Sequence, residues 1–333
     1  MMKILTKTIF FLLILINFAY CENSDQFKTW LNNFSIIAKN KGISDKTINS
    51  ILIKAKFLPK VIEYDRRQPE FYEDTKTYIG KRSGKNKVNK AIKIFKKNHQ
   101  LIIKVEKEYN IEKELLLSLM GIETNFGTYL GKMDIISSLA TLSFDERRSA
   151  FFSNELITLL KLVDNKIVKP EILFGSWAGA VGNFQFMPTT IKKYAIDYND
   201  DGNIDLKKIE DSIASAANYL NKMGWKKNQP CFKKIILNDN IPKKYLNSSA
   251  KKINNRIEFK NIKKYIKKFN KLSIDPNTMV AIITPDKDIV PDSQLYSPSY
   301  LIFDNYQLIL KWNRSLRFGL AVCTLFKEIK NEI

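Results

Sequence analysis

The chain has 333 residues, and its 44% hydrophobic and 12% aromatic content is typical of a globular protein with a substantial core. Its formal net charge of +21 at pH 7 favours polyanionic partners, although a solvated lysine-rich surface without any partner is an equal alternative. The single histidine, His99, excludes a zinc site with two histidine ligands, and the lack of a Gly-x-Ser-x-Gly turn argues against a serine hydrolase.

The N-terminus has the pattern of an export signal. Two lysines precede an apolar run over residues 9–18, which is too short to span a bilayer. Ala19 and Cys21 are small residues at the positions that a signal peptidase reads, so we predict a signal peptide over residues 1–21. Attachment of a lipid to Cys21 is the alternative, and it would associate the protein with the outer membrane. Either reading predicts an exported protein, for which nucleic acid is not the expected partner.

Two cysteines, Cys231 and Cys323, follow the predicted signal peptide. In an exported protein they could pair, but two widely spaced cysteines do not make a disulfide framework. Two free buried thiols are an equal alternative.

Helices dominate the first two thirds of the chain. Start signals at Asp25 and Ser44 predict helices between residue 24 and about residue 60, and the apolar spacing then predicts one long helix from about Asn89 to Tyr109. A further helix is predicted to begin near Asn110, a good N-cap, and to end at 126–127. The remaining helices are predicted at 150–163, 188–195 and 209–223.

The sequence pattern changes from helical to β-rich after Trp225. Short β-rich runs between Pro, Asn and Asp turns are predicted at 232–237, 278–284 and 300–303. The segment 306–329 returns to helix. The pattern is that of a mainly helical α+β protein with a small β element inserted late.

Glu123 is the candidate catalytic residue. It lies beside the apolar stripe of its predicted helix, shortly before Phe126 and Gly127, which offer an aromatic wall and an open backbone. A carboxyl group held against apolar neighbours has its charged form disfavoured, so its pKa rises and it can carry a proton at neutral pH. A general acid acting on a glycosidic oxygen needs this property. A salt-bridged structural glutamate is the alternative.

A glycine-rich segment over residues 175–188 contains three glycines that alternate with three aromatic residues. It lacks the Gly-Lys-Ser/Thr ending of a phosphate loop, so nucleotide binding is not supported. Glycines also mark plain tight turns, but the three aromatics favour a lined groove.

Residues 197–211 match an EF-hand-like calcium loop, with Gly202 at the sharp bend. Lys208 stands where the closing glutamate is usual, and Asp211, three residues further on, could close a longer loop. Ordinary turns without metal have a similar composition. The pattern predicts a structural Ca²⁺ or Na⁺ ion, with no catalytic cofactor. The candidate ligands are Asp197, Asn199, Asp201, Asn203 and Asp211.

Several motifs follow one another in a specific order between Asp65 and Leu325. They are Gln68-Pro69-Glu70-Phe71, Glu123-Thr124-Asn125-Phe126-Gly127, Ala140-Thr141-Leu142-Ser143-Phe144-Asp145, Gly175-Ser176-Trp177-Ala178-Gly179-Ala180, Gln185-Phe186-Met187-Pro188, Ala216-Ala217-Asn218-Tyr219-Leu220 and Asn313-Arg314-Ser315. In this order they resemble the MltB-type membrane-bound lytic murein transglycosylases of Gram-negative bacteria.

The resemblance implies a lysozyme-like helical catalytic domain, a helical substrate-side domain and a small β domain. We therefore expect a monomeric periplasmic enzyme that acts on peptidoglycan. The expected division is a signal peptide (1–21), a helical N-terminal domain (22–110), a lysozyme-like core with the EF-hand-like loop (111–227), a β-rich domain (228–305) and a C-terminal helix (306–333).

The resemblance also implies roles for individual residues. Glu123 would be the only catalytic carboxyl group, and the family's metal loop closes with an acid where Asp211 stands. One departure is Trp312, where the family usually has Tyr. The residues implied to line the saccharide cleft are Tyr78, Ser176, Gln185, Tyr219 and Asn313.

The implied reaction is non-hydrolytic cleavage between N-acetylmuramic acid and N-acetylglucosamine, which leaves 1,6-anhydromuramoyl ends. A hydrolytic muramidase would need a second carboxylate, and Asp134, Asp145 and Glu146 are the nearest in sequence. Their neighbours suggest helix-start or loop roles. A hydrolytic muramidase and a non-catalytic cell-wall binding protein remain as alternatives.

Overall fold

The computed structural model describes residues 24–68, 72–251, 253–269, 274–287, 289 and 297–333. The predicted signal peptide with Cys21, and residues 69–71 of the first family motif, lie outside the described residues. The described chain forms two compact units, and each is built from three separate stretches of the sequence. The domain boundaries expected from the resemblance stay predictions.

Unit 1 comprises the described residues up to Arg66 together with Leu130–Lys193 and Asp200–Asp205. Helix α8 is its central element, because it packs against both α3 and α9. Its helices are α1 (24–40), α2 (Asp45–Ser50), α3 (Pro59–Arg66), α8 (Ile135–Phe144), α9 (Ser149–Asp164) and α10 (Pro188–Tyr194), whose last residue belongs to unit 2. Two short strands, β1 (Met133–Asp134) and β2 (Phe174–Gly175), pair antiparallel.

Two polar clusters hold the helices of unit 1. Ser44 caps α2, and the carboxylate of Asp164 at the end of α9 accepts hydrogen bonds from the hydroxyls of Ser44 and Thr47. These bonds hold the pKa of Asp164 below its usual range. Asp65, 2% exposed at the end of α3, is paired with Arg147 and Arg148.

Unit 2 comprises Arg67–Tyr129, Tyr194–Asn199 and Leu206–Ile333. Its helices are α4 (Thr75–Arg82), α5 (Lys85–Lys97), α6 (His99–Tyr109), α7 (Lys113–Thr124), α11 (Ile209–Lys222), α12 (Phe259–Ile262), α13 (Asp304–Trp312) and α14 (Leu316–Lys330). Helix α14 packs against α4, α5, α7 and α13. Apolar residues of α14, including Leu320 and Leu325, are fully buried, so this C-terminal helix supports the helix that carries Glu123.

The β element of unit 2 is a sheet with the order β4-β7-β8-β3-β6, and β5 pairs with the outer side of β7. All its pairings are antiparallel except β4 with β7. Its apolar face covers a core that includes Ile235, Ile282 and Leu301. Its strands are β3 (Phe232–Leu237), β4 (Leu246–Asn247), β5 (Ile257–Glu258), β6 (Ile266–Phe269), β7 (Met279–Ile283) and β8 (Ser299–Ile302).

Cys231 and Cys323 form a disulfide, with a Cα–Cα distance of 6.1 Å and a sequence separation of 92. Both cysteines are buried. Of the two alternatives left open by the sequence, the paired one is therefore found. The bond ties the start of β3 to the middle of α14.

Two helix predictions need correction. The long helix predicted over 89–109 is two helices that meet at Asn98, whose backbone, at φ −120° and ψ 30°, leaves the α-helical conformation. Asn110 does not cap the start of the next helix. It ends α6 in the left-handed conformation, φ 54°, and Glu112 is the N-cap of α7.

Other elements agree with the sequence pattern or were missed by it. The fold class predicted from the sequence, mainly helical with a small β part, is confirmed. The three β-rich runs and the helices at 149–164, 188–194 and 209–222 are also present as expected. Helix α8 was not predicted, and the C-terminal helix is broken between Trp312 and Leu316. Within the described residues, no helix combines the length and apolar character that a membrane crossing requires.

Candidate active site

Glu123 lies in the last turn of α7, on the side of unit 2 where α13 ends. Its side chain is half-buried, and its Oε1 accepts a hydrogen bond from the indole Nε1 of Trp312 at 3.1 Å. The contact joins residues 189 positions apart in the sequence. The carboxyl group predicted to be catalytic is thus held in a defined position by a neutral donor.

Three aromatic rings continue from this contact. The Trp312 ring lies 4.9 Å from that of Tyr219, and Tyr219 stacks on Tyr194 at 4.4 Å with an interplanar angle of 29°. Burial raises the pKa of Tyr219 to about 12, with a smaller contribution from Tyr194. Tyr219 therefore stays a neutral phenol at physiological pH. Flat aromatic surfaces of this kind suit the apolar faces of sugar rings.

The backbone after Glu123 turns sharply. Asn125, Phe126 and Gly127 all have positive φ, at 51°, 62° and 78°. A left-handed conformation is uncommon for an aromatic residue, and such strain clusters at functional sites. Gly121 leaves room for the Phe126 ring, because a Cβ at Gly121 would lie 2.7 Å from its Cζ atom.

A lysine caps the same turn. The Lys87 ammonium on α5 donates to the carbonyl oxygen of Gly121 and lies 3.4 Å from the side-chain oxygen of Asn125. A cation at the C-terminal end of a helix is favourable, because the last carbonyl groups carry partial negative charge. Burial lowers the pKa of Lys87, and the nearby Lys90 and Arg82 lower it further. Sequence reasoning missed Lys87, because only the fold brings it to α7.

The other cleft residues expected in unit 2 have different surroundings. Asn313 is half-buried and follows Trp312 at the end of α13, so the chain itself holds it beside the aromatic rings. Tyr78 is 1% exposed, with the guanidinium of Arg82 3.6 Å above its ring centre.

Ser176 and Gln185 lie in the glycine-rich segment of unit 1, and both are half-buried. The Ser176 hydroxyl accepts the backbone N–H of Ala178 at 3.0 Å. Gln185 has a positive φ of 51°, and its side-chain amide donates to the carbonyl oxygen of Gly182 at 2.9 Å. Residues 181–186 of this segment form a tight turn closed by the bridge between Val181 and Phe186. The lined groove suggested by the composition of the segment stays a prediction.

The three carboxylates considered as hydrolytic partners are also in unit 1. Asp134 caps α8, since its Oδ1 accepts the backbone N–H groups of Ile136 and Ser137 at 2.9 and 3.2 Å. Asp145 pairs with Arg66 at 2.7 Å. Glu146 is exposed at the start of a 3₁₀ turn. The helix-start and loop positions expected from the sequence are confirmed.

The predicted metal loop contributes residues to both units. In unit 2, Asp211 is fully buried at the start of α11 and accepts the backbone N–H of Tyr198 at 2.9 Å. In unit 1, Asp200 and Gly202 have positive φ, and the Asp201 carboxylate accepts the backbone N–H of Asn203 at 3.0 Å. The oxygen donors suit a hard cation such as Ca²⁺. Across the part of the chain that the structure describes, no group of three or more His, Cys, Asp or Glu side chains is placed to hold a metal.

A family model described as the transglycosylase SLT domain matches residues 26–327. The chain belongs to this family. Among curated proteins, it is similar to membrane-bound lytic murein transglycosylase B of Escherichia coli (strain K12), at 43% identity over 120 residues. That match spans about a third of each protein, 36% of this chain and 33% of the relative.

Solved structures match this family member over most of its length. SltB3 of Pseudomonas aeruginosa, in complex with NAG-NAM-pentapeptide, aligns with 91% of this chain and 79% of its own chain, at a TM-score of 0.78 and 27% identity. The same protein is also known in complex with NAG-anhNAM-pentapeptide, at a TM-score of 0.77. Slt35 of Escherichia coli in complex with calcium shares the fold, at a TM-score of 0.75, 24% identity and coverage of 91% of this chain and 93% of its own. The lysozyme-like fold expected from the sequence is confirmed.

Proposed function

We propose that this protein is a lytic murein transglycosylase that cleaves peptidoglycan between N-acetylmuramic acid and N-acetylglucosamine without using water. The observation that carries the proposal is the half-buried Glu123 carboxyl group, which receives the Trp312 N–H beside a stack of aromatic rings. Membership of the transglycosylase SLT domain family supports it. So does the complex of the similar SltB3 with an anhydro-muramic saccharide, which is the product type of this reaction.

Glu123 acts twice in the proposed mechanism. As an acid it gives its proton to the glycosidic oxygen while the bond from that oxygen to the muramoyl anomeric carbon breaks. As a base it then takes the proton of the muramoyl 6-hydroxyl, whose oxygen bonds to the same anomeric carbon. The carboxyl group ends protonated, as it began, and no water or cofactor is consumed. One group can perform both transfers because the nucleophile belongs to the substrate.

The two other acids at the start of α7 have partners of their own, which favours this mechanism over hydrolysis with either of them as the second carboxylate. A hydrolase needs a second carboxylate about 5–10 Å from the acid, to attack the sugar or to activate water. In unit 2, Glu112 is the N-cap of α7 and Glu114 lies in its first turn. Glu112 accepts hydrogen bonds from Trp225 and from the backbone N–H of Asn228, and Glu114 is paired with Lys113. Both carboxylates therefore have structural roles.

The remaining cleft residues are proposed as saccharide contacts. Tyr219 offers an aromatic surface, and Asn313 offers amide donors and acceptors beside it. Ser176 and Gln185 would bring polar groups from the glycine-rich turn. Tyr78 could reach a sugar only after the Arg82 side chain moves from its ring, so we propose a supporting role for it.

The test is digestion of purified murein sacculi followed by mass spectrometry of the soluble products. We expect products with anhydro ends, one water lighter than the reducing ends that a hydrolase makes. Glu123→Gln should abolish digestion with the fold intact, because an amide cannot supply or take the proton. Glu146→Gln is the matched control, since it makes the same chemical change at an exposed carboxylate and should digest sacculi like the unmodified protein.

The rival functions give different results. Reducing ends alone would establish a hydrolytic muramidase, and loss of activity in Glu146→Gln would point to a second carboxylate. Sacculus binding without digestion, unchanged in Glu123→Gln, would indicate a non-catalytic binding protein.

The EF-hand-like loop is proposed to bind a structural Ca²⁺, or Na⁺, through Asp197, Asn199, Asp201, Asn203 and Asp211. The oxygen-rich donor set and the positive φ at Gly202 support this assignment. Calcium at one hundred times its dissociation constant should stabilise the protein by about 2.7 kcal/mol. Thermal denaturation with calcium and with chelator measures the effect. The site would be contradicted if calcium raised the melting temperature of Asp211→Asn as much as that of the unmodified protein, or if it did not raise the melting temperature of the unmodified protein.

The N-terminal sequence supports export to the periplasm by a signal peptide over residues 1–21, with peptidoglycan as the partner and a monomer as the working form. A lipid on Cys21 is the alternative to cleavage. Intact-mass measurement of the protein purified from membranes and from the periplasm distinguishes the two. We further propose the division into a helical N-terminal domain, a catalytic core, a β-rich domain and a returning C-terminal helix at the boundaries given above.

A further inference from the structure

The indole of Trp312 is hydrogen-bonded to the carboxyl group of Glu123. Trp312 is the last residue of α13, and its indole Nε1 donates to Oε1 of Glu123 at 3.1 Å. The indole is also held from the side, because its ring lies 4.9 Å from Tyr219, which in turn stacks on Tyr194. The direction of the indole N–H bond is therefore set by the ring stack as well as by the carboxyl group.

The chemistry of the indole limits what this contact can be. An indole nitrogen is a donor only, it is neutral, and it neither gives up nor accepts a proton at physiological pH. A hydroxyl group in the same place could also accept the proton of a carboxylic acid. With an indole, the carboxyl oxygen that faces it must be the acceptor in both protonation states of Glu123.

We propose that Trp312 is a positioning residue that keeps Oε1 of Glu123 as an acceptor and confines the exchangeable proton to the other oxygen. The acid step and the base step then use the same oxygen, Oε2, so the carboxyl group need not rotate between them. This inference rests on the proposed function of Glu123. It adds a role for Trp312, one of the positions at which this chain departs from the family pattern.

A second indole–carboxylate pair in unit 2 is formed by Trp225 and Glu112. Trp225 donates to Oε2 of Glu112 at 2.7 Å, and the backbone N–H of Asn228 donates to Oε1 at 2.7 Å. Both oxygens of Glu112 accept a donor, and Glu112 is 2% exposed. That pair is structural, and it serves as an internal reference for the Trp312–Glu123 pair.

Charged groups on the helices packed against α7 also bear on a titration of Glu123. From α5, Lys87 reaches the Gly121 carbonyl, and its charge favours the ionised form of a nearby carboxyl group. From α14, the buried Arg317 is paired with Asp286 at 2.8 Å. From α11, Tyr219 is a neutral phenol whose pKa burial raises to about 12.

Helix α6 contributes acids that have their own partners. Glu106 pairs with Lys113 and Lys227, at 3.5 and 3.2 Å, and Glu108 accepts the hydroxyl of Tyr198 at 2.8 Å. Trp312→Phe removes the indole N–H from Glu123 and leaves all of these charged groups in the protein.

The first test needs no substrate. The chain contains four tryptophans, so each indole N–H gives a separable signal in a ¹H–¹⁵N spectrum, and Trp312→Phe assigns one of them. We expect the Trp312 signal to move with pH in a single titration in the unmodified protein. It should no longer move in Glu123→Gln, where the amide oxygen still accepts but nothing titrates. The Trp225 signal should be the same in both proteins.

The second test measures the pH dependence of sacculus digestion. Activity falls as the pH rises through the pKa of Glu123, because the first step needs the protonated acid. The indole N–H stabilises the ionised form, so Trp312→Phe should raise that pKa and move the alkaline limb to higher pH by roughly one unit. A merely structural role would lower the rate or the stability without moving the limb. Circular dichroism and a thermal melt establish that the variant is folded.

Three results would contradict the proposed role of Trp312. A Trp312 signal that does not respond to pH, or that responds equally in Glu123→Gln, overturns the proposal. So does a folded Trp312→Phe whose alkaline limb stays in place. If the signal follows Glu123 but sacculi yield no anhydro ends, the hydrogen bond stands and the proposed function fails. The two ideas therefore fail separately.

Discussion

Gly179, in the glycine-rich turn of unit 1, should tolerate no side chain. Its φ is +84°, and a Cβ built there would lie 2.3 Å from Cδ2 and 2.6 Å from Cγ of Leu139, a fully buried residue of α8. The left-handed backbone costs an alanine about 1–2 kcal/mol. Forcing a methyl group into a packed core costs about 1–3 kcal/mol more. We therefore expect Gly179→Ala to lower the free energy of unfolding by roughly 2–5 kcal/mol.

Gly42 is the matched control, because it has nearly the same φ, +85°, in the same unit, with no atom within 4 Å of the added Cβ. Gly42→Ala should show the backbone cost alone, about 1–2 kcal/mol. Urea denaturation of both variants isolates the overlap with Leu139 as the difference.

A double variant tests the cause of that difference. Leu139→Ala removes the atoms that clash, so Gly179→Ala should cost less in that background than in the unmodified protein. The reasoning is refuted if Gly179→Ala is no worse than Gly42→Ala, or if the two substitutions at 179 and 139 are additive.

Three further predictions concern unit 2 and the start of α8. Breaking the Cys231–Cys323 disulfide, whose cysteines are 92 positions apart, should lower the free energy of unfolding by about 2–5 kcal/mol, and either single alanine variant should lose as much as the double variant. Urea melts measure this loss. Additive single effects, or no effect of a reductant, would indicate free thiols. Burial raises the pKa of Tyr219 to about 12, so the unfolded chain loses this proton at a lower pH than the folded protein does. The stability of the protein should therefore fall as the pH rises from about 10 to 12. Alkaline melts of Tyr219→Phe should show a smaller fall, and an equal fall would contradict the raised pKa. Asp134→Asn should keep both the cap of α8 and the digestion of sacculi, whereas Asp134→Ala should lose about 1 kcal/mol of stability. Loss of activity in the folded Asp134→Asn variant would mean that the Asp134 charge takes part in the reaction.

Local patterns in the sequence were sufficient for much of the fold. The β-rich runs near 232–237 and 278–284 became β3 and β7, because alternation and turn residues act over a few neighbouring positions. The failures have equally local causes. Helix α8 was missed because residues 135–143 are buried on every side, so it shows no amphipathic period. The apolar spacing runs through Asn98 without a break, so the sequence predicted one long helix, whereas the backbone of Asn98 at φ −120° and ψ 30° separates two.

For the candidate site, the sequence by itself determined that one glutamate, Glu123, stands in a specific motif at the end of a helix. Only the tertiary structure decided what surrounds it. The Trp312 donor lies 189 positions away, the stacked Tyr194 and Tyr219 come from two further helices, and Lys87 reaches the same turn from α5. These contacts depend on how helices pack, and packing is set by the whole core and not by any short stretch of chain. The sequence could therefore name the proton donor, while the fold alone selected the groups that orient it.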